Sequence, residues 1–176
     1  MKASPVKLMQ LMFKHVRVEM DPEHQAPQMI NPLTDVFTFE GVNLSSEVGI
    51  GEADMNHERG RVYFVELRVA VDNVPNPASA RQRFAPYKID VAVEGLVLIP
   101  KGAEELADPQ DLAAVNGASM LWGAVREQVT TITSRMRAGP VVMPSMNFHD
   151  LRKTNDASQA PTSPAAPAKS RRSKKA

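Results

Sequence analysis

The chain predicts an α+β domain, a four-stranded antiparallel sheet with one long C-terminal helix packed on it. Three observations lead there. Tyr63, Val65, Leu67, Val69 and Val71 alternate with Glu66, Arg68 and Asp72, and Tyr87, Ile89, Val91 and Val93 repeat the pattern, so two strands each have one buried and one wet face. Helical spacing appears in one long run, where Trp122, Val125, Val129, Ile132 and Met136 recur three and four apart. Strands precede that helix without a strand–helix–strand rhythm, which excludes a parallel sheet.

Taken in order, residues 6–20 read as one long strand whose apolar phase shifts. Leu11 and Phe13 share one face while Val16, Val18 and Met20 share the other, the mark of a bulge or strong bend. Residues 21–35 form a connection holding Pro22, Pro27 and Pro32, with Met29, Ile30 and Leu33 as an apolar middle. Phe37, Phe39, Val42 and Leu44 predict a shorter strand, and Gly49, Gly51, Asn56 and Gly60 a turn region after it. The two alternating strands follow, separated by a loop from Asn73 to Pro86, and the second ends in Leu96–Ile99, apolar on both faces.

Asp108 and Pro109 fit the N-cap and first position of the helix. Gly117 is expected to divide a short lead-in helix from the main one. Val115 and Ala118 extend the apolar seam backward, and the seam is narrow enough to suit a second helix. Gly139-Pro140 should stop the helix, and Val141, Val142 and Met143 form an apolar exit. The folded domain spans 1–151. Residues 152–176 are rich in Ala, Pro, Ser, Lys and Arg and should be disordered, because they carry too little apolar surface to offset ordering entropy.

Charge divides at the same boundary. Residues 1–150 hold 14 Lys and Arg against 19 Asp and Glu, while residues 151–176 hold 7 against 1. An acidic body therefore carries a basic tail. Five charges between Lys169 and Lys175 would suit phosphates of a nucleic acid. A plain solubilising end outweighs that reading, because no aromatic residue interleaves the charges as a stacking platform. No stretch nears the ~20 apolar residues of a membrane span, and Lys7, Gln10, Lys14 and Arg17 break any signal-peptide pattern. The expected location is the cytoplasm, without membrane insertion.

The chemistry of an enzyme is not visible. Cysteine is absent, which removes disulfides, thiolate metal sites and a cysteine nucleophile. His15, His24, His57 and His149 lack a second ligand type at helical spacing. Glu104-Glu105 with Asp108 and Asp111 reads as a solvated helix entry rather than an acid–base pair. Ser45-Ser46 and Gly49-Ile50-Gly51 lack the strand–helix setting of a phosphate loop. The expectation is a non-enzyme with no metal and no cofactor.

Four segments resemble one family in the right order. Leu8 to Glu19 is similar to the first strand of SecB, the bacterial protein-export chaperone, and Tyr63–Val71 and Tyr87–Gly95 resemble its third and fourth. Arg126-Glu127, followed after a Pro-containing exit by Asn147-Phe148, looks like its C-terminal core. The match runs from residue 6 to about 151. It implies an ATP-independent holdase that binds non-native polypeptides, unfolded preproteins in particular, and passes them to the motor SecA. It also implies a homotetramer, a dimer of dimers, with long helices packing between subunits.

On that resemblance Met29, Ile30, Leu33, Phe37 and Phe39 would line an apolar client groove, to which ten methionines in the chain add adaptability. Trp122, Val125, Val129, Ile132 and Met136 would form the subunit contact, and Glu19 and Asp90 would face SecA. The chain departs from the family in three places. His15 stands at a third acidic docking position and Lys88 at an apolar one; Gly123-Ala124 replaces a Pro–aromatic pair; and Arg152 onward leads into the tail instead of a second long helix. The departures favour a SecB-like relative whose client is another protein, such as an antitoxin. An adaptor that contacts nucleic acid or an acidic partner through its tail is the alternative from a different class.

Overall fold

A computed structural model describes residues 5–23, 37–77 and 81–152. Strands β1 (Lys7–Met20), β3 (Ser45–Asp54), β4 (Gly60–Val71) and β5 (Tyr87–Pro100) form one antiparallel sheet in the order β1-β5-β4-β3. The last strand returns beside the first, a Greek key. One long helix, α1 (Pro109–Thr133), lies across a single face. The two-residue strands β2 (Phe37–Thr38) and β6 (Val141–Val142) pair in parallel as a small second sheet. No helix among the described residues is long and apolar enough to cross a membrane.

The phase shift in the first strand is a pair of bulges. The β1–β5 register slips between Leu8 and Gln10 and again between Phe13 and His15. Two slips bring Leu8, Leu11, Phe13, Val16, Val18 and Met20 to one face, opposite Val97, Gly95, Val93, Val91, Ile89 and Tyr87. All six pack against the core that Tyr63, Val65, Leu67, Val69 and Val71 of β4 build with those β5 residues.

The helix reaches this face through small residues. Asp108 caps it, its carboxylate accepting from the backbone N–H groups of Gln110 and Asp111, with Pro109 at the first position. Ala113, Gly117 and Ala118 then lie against the sheet, followed by Leu121, Trp122, Val125 and Val129. Gly117 does not divide the helix, contrary to the expectation. It is a contact residue: a Cβ there would stand 2.9 Å from Val65 Cγ2 and 3.2 Å from Val97 Cγ2. Gly95 on the facing strand gives similar room to Leu8 and Leu121.

Two boundaries differ from the sequence reading. A ten-residue strand occupies Ser45–Asp54, where the glycines predict a turn, and the expected strand over 37–44 reduces to Phe37–Thr38. The physical reason is the edge position of β3. Val48 and Ile50 face the core opposite Leu67 and Val65, while Ser45, Glu47, Gly49 and Gly51 face outward, where neither burial nor a large side chain is needed. The helix also stops at Thr133, ahead of Gly139-Pro140. The hydroxyls of Thr133 and Ser134 donate to carbonyls three and four residues back, and the chain then turns as far as Gly139, at φ 78°.

Buried polar groups tie the ends of three strands together. Asn73, in the left-handed region at φ 59°, donates from its amide to the Asp21 carboxylate (2.7 Å) and the Ala85 carbonyl (2.8 Å), and its own oxygen accepts from the Ala85 N–H. Asn tolerates that backbone conformation better than most residues.

The two helix glycines should respond in opposite directions. Gly117→Leu overfills the helix–sheet contact and is expected to cost about 1–3 kcal/mol. Gly123 is exposed, and a methyl added there would have nothing within 4 Å, so Gly123→Ala should add about 0.5–1 kcal/mol through helix propensity. Urea unfolding of both variants checks the pair.

Candidate functional site

The helix holds the exit segment by its backbone. Trp122, Arg126 and Thr130 stand one turn apart on α1 and so share a face. Trp122 Nε1 donates to the Pro144 carbonyl (2.9 Å), Arg126 Nε to Met143 (2.9 Å) and Thr130 Oγ1 to Val141 (3.0 Å). The Val141 N–H donates to Thr133 Oγ1 (3.1 Å), and the Tyr87 hydroxyl donates to the Gly139 carbonyl (2.8 Å). Phe148 closes the far end, its ring edge-on to Trp122 at 6.2 Å. An extended segment with no strand on that side thus has its carbonyls satisfied by side chains.

Once fixed, the exit positions one group of expected groove residues. Phe37 and Thr38 pair with Val141 and Val142, and Phe39 stacks edge-on to Phe37 at 5.4 Å. Phe39 is buried in the core, so it is packing rather than groove lining. Phe37 is half-buried with the Arg83 guanidinium over its ring at 5.4 Å. Met29, Ile30 and Leu33 lie outside the described residues. Beside the exit runs a shallow trough of about 400 Å³, lined by Gly123, Arg126, Glu127, Thr130, Thr131 and Val142.

The narrow helix seam finds its partner within the chain. Trp122, Val125 and Val129 are buried against the chain's own sheet and exit segment, which leaves them no free surface for a second subunit. Ile132 is half-buried on α1, and Met136 lies past the helix end in the turn, also half-buried. The seam is narrow because the exit strand covers one flank and the sheet the other.

The outer face of the sheet is divided. At one end Leu98 lies between Lys7 and Val62, and Leu96 between Gln10 and Phe64, with Met9 in the adjoining bulge and Met12 beside Glu94. Leu98 and Val62 are buried, but Met9 and Met12 are 44% and 48% exposed. Sequence reasoning missed this tract, because the bulge at Met9 conceals which face its neighbours take. The other end is charged. Lys14 pairs with Glu66 (2.7 Å), Arg17 with Glu19 (2.9 Å), and Asp90 accepts from Arg68 (3.0 and 3.1 Å) and lies 3.0 Å from His15 Nε2.

Glu19 and Asp90 share this face, around a depression of about 320 Å³ that also includes Arg17, Arg68 and Lys88. Both carboxylates are already paired with bases. Hydrogen bonds from Arg68 and then His15 hold the Asp90 carboxyl down at about 2, and the Arg17 hydrogen bond lowers Glu19. No group of three or more His, Asp or Glu fit to hold a metal occurs among the described residues.

No protein-family model matches the chain, and no curated protein matches its sequence. Among solved structures, a Streptococcus agalactiae protein described as of unknown function aligns at 11% identity and a TM-score of 0.44, over 80% of this chain and 97% of that one. A likeness this slight bears on neither fold nor function.

Two measurements test the site. Trp122→Phe keeps an aromatic ring but removes the donor to the Pro144 carbonyl and part of the buried indole volume, and should cost about 1–3 kcal/mol in urea unfolding. Asp90 is depressed from 3.8 to about 2, so its contribution to stability is complete above its ordinary value and is lost as pH falls toward 2. Arg68→Ala should move the Asp90 carboxyl titration, followed by NMR, upward toward 3.8, and an unmoved titration would show that Arg68 is not its main partner.

Proposed function

We propose that this protein is a SecB-like holdase, binding non-native polypeptide through exposed apolar surface without a nucleotide cofactor. The observation that carries the reading is a pair of exposed apolar tracts, one on the outer face of the sheet and one along the exit segment, besides the separately exposed Met55, Val74 and Leu106. Met9 and Met12 mark the first. Val142 and Met146, 43% and 38% exposed, mark the second along the exit segment. Methionine adapts to varied apolar shapes, and burial of a client's apolar side chains yields roughly 25 cal/mol per Å² without demanding a particular sequence.

The exit ladder supports the same reading. Arg126, Asn147 and Phe148 carry part of the family resemblance, and each has a physical task here: Arg126 fixes the Met143 carbonyl, and Phe148 packs on Trp122. The Asn147 side chain accepts from the His149 N–H (3.0 Å), which starts the closing turn. The trough beside Val142 then offers an extended client segment a rigid wall.

Assembly as a homotetramer, a dimer of dimers, belongs to the proposal. Transfer to SecA is the weaker part, since Glu19 and Asp90 are engaged by Arg17, Arg68 and His15. A client other than an export precursor, such as an antitoxin, fits that pairing better.

Added at a stoichiometric ratio without nucleotide, the protein should suppress light scattering by a chemically denatured model protein on dilution. Met9→Glu with Met12→Glu, or Val142→Glu with Met146→Glu, should weaken that suppression severalfold, because a charge buried against a client is costly. No suppression by the parent protein would sink the proposal. Light scattering should also give a mass near four times 19.3 kDa.

A further inference from the structure

The two edges of the sheet are unequal. β1 has a free edge blunted in the usual ways, by two bulges and by Lys7, Lys14 and Arg17. β3 has a free edge with no basic residue and a single irregularity. It pairs only with β4 among the described residues, its one irregularity falls at its far end between Glu52 and Asp54, and it contains neither Lys, Arg nor Pro. Alternate N–H and C=O groups along Ser45–Asp54 therefore point away from the sheet without a strand partner. Gly49 and Gly51 keep the outward face bare, and nothing lies within 4 Å of a methyl added at Gly51.

The same stretch concentrates the acidity of the body. From residue 40 to 58 the chain carries Glu40, Glu47, Glu52, Asp54 and Glu58 and no Lys or Arg. All five are exposed, with Glu52 paired to Arg61 at 2.7 Å. The complement is in the tail. Lys169 to Lys175 reads Lys-Ser-Arg-Arg-Ser-Lys-Lys, with no acid and no proline. Seven extended residues span about 24 Å, within the ~34 Å of a ten-residue strand. The 16 residues of 153–168 can span at most about 50 Å, against a body of about 15 Å radius of gyration.

We propose that residues 169–175 dock along the free edge of β3 in the same molecule, as a fifth strand held by backbone hydrogen bonds and by Glu47, Asp54 and Glu58. The tail is then an intramolecular edge cover that also neutralises the acidic side of the body. Tethering makes the contact effective although each surface charge pair is weak, because the local concentration of the tail is in the millimolar range. The inference does not rest on the holdase reading, since it uses neither apolar tract.

Hydrogen–deuterium exchange of the full-length protein tests it, with the amides of β3 as readout and those of β4 and β5 as internal reference. In low salt, Arg171→Glu with Arg172→Glu should speed exchange in β3 by about threefold and leave β4 and β5 unchanged. High salt should do the same to the parent protein, as the screening length falls from ~10 Å at 0.1 M to ~3 Å at 1 M. Adding Glu47→Arg and Asp54→Arg to the tail variant should restore protection. The tail substitutions fall outside the sheet and core residues described above. Unchanged β3 exchange in the tail variant overturns the proposal. So does protection that disappears on dilution, which would assign the edge to a second copy. Aggregation suppression measured on the same tail variant keeps this outcome separate from that of the holdase test.

Discussion

The described fold depends on the ladder of side-chain donors that α1 extends to the exit segment. A helix whose own backbone is satisfied has nothing to offer a neighbouring strand except side chains. Here Trp122, Arg126 and Thr130, one turn apart, reach three carbonyls of 141–144. Without them those carbonyls would be buried or half-buried acceptors with no strand beside them, each costing about 1–3 kcal/mol. With them, Val141 and Met143 bury their side chains in the core, Val141 gains Phe37 as a parallel partner, and Phe39 follows into the interior. The connection that carries the chain from the β1 edge to the β3 edge is anchored by the same segment. The ladder thus links the last part of the domain to one of the first.

How much of this is legible in the sequence depends on what each element asks of its residues. The two central strands, β4 and β5, bury one face completely, so Tyr63–Val71 and Tyr87–Val93 show a plain alternation. The phase shift in β1 is equally plain, and the slip between Phe13 and His15 keeps Phe13 and Val16 on one side. β3 is hidden because an edge strand with a bare outer face needs only Val48 and Ile50 to mark it, and Gly49 and Gly51 read as punctuation. The helix end is hidden for a related reason. Thr133 and Ser134 loosen the helix through side-chain bonds to its carbonyls, which a search for Gly and Pro does not detect.

The site was legible in part. Apolar periodicity locates Trp122, Val125 and Val129 but cannot distinguish a seam that faces another subunit from one flanked by the chain's own sheet and exit. Narrowness has the same signature in both cases, since what matters is the width of the apolar stripe and not the origin of its cover. Phe37 and Phe39 differ in burial although they are two residues apart and alike in type, because the first lies in the two-residue strand with the Arg83 guanidinium over its ring and the second, just past that strand, enters the core. Met9 and Met12 escape notice because a bulge resets the alternation between them and the rest of β1.

Charge placement constrains what can approach this body more than net charge does. The charged end of the outer face is a mesh of exposed pairs, Lys14–Glu66, Arg17–Glu19 and Arg68–Asp90 with His15. Such pairs add little stability, and being locally neutral they cast little field into solution. Acidic residues also gather along 40–58, at the β3 edge, where Glu52 is paired with Arg61 and Glu47 lies opposite Arg68 but no Lys or Arg falls within the stretch itself. A cationic partner would be steered to that edge rather than to the paired carboxylates of the outer face. For Glu19 or Asp90 to serve as docking groups, a partner would have to displace Arg17, Arg68 or His15 from bonds already made. The methionine tract at the other end of the same face presents no such competition, which makes the apolar end the part of the sheet most readily covered.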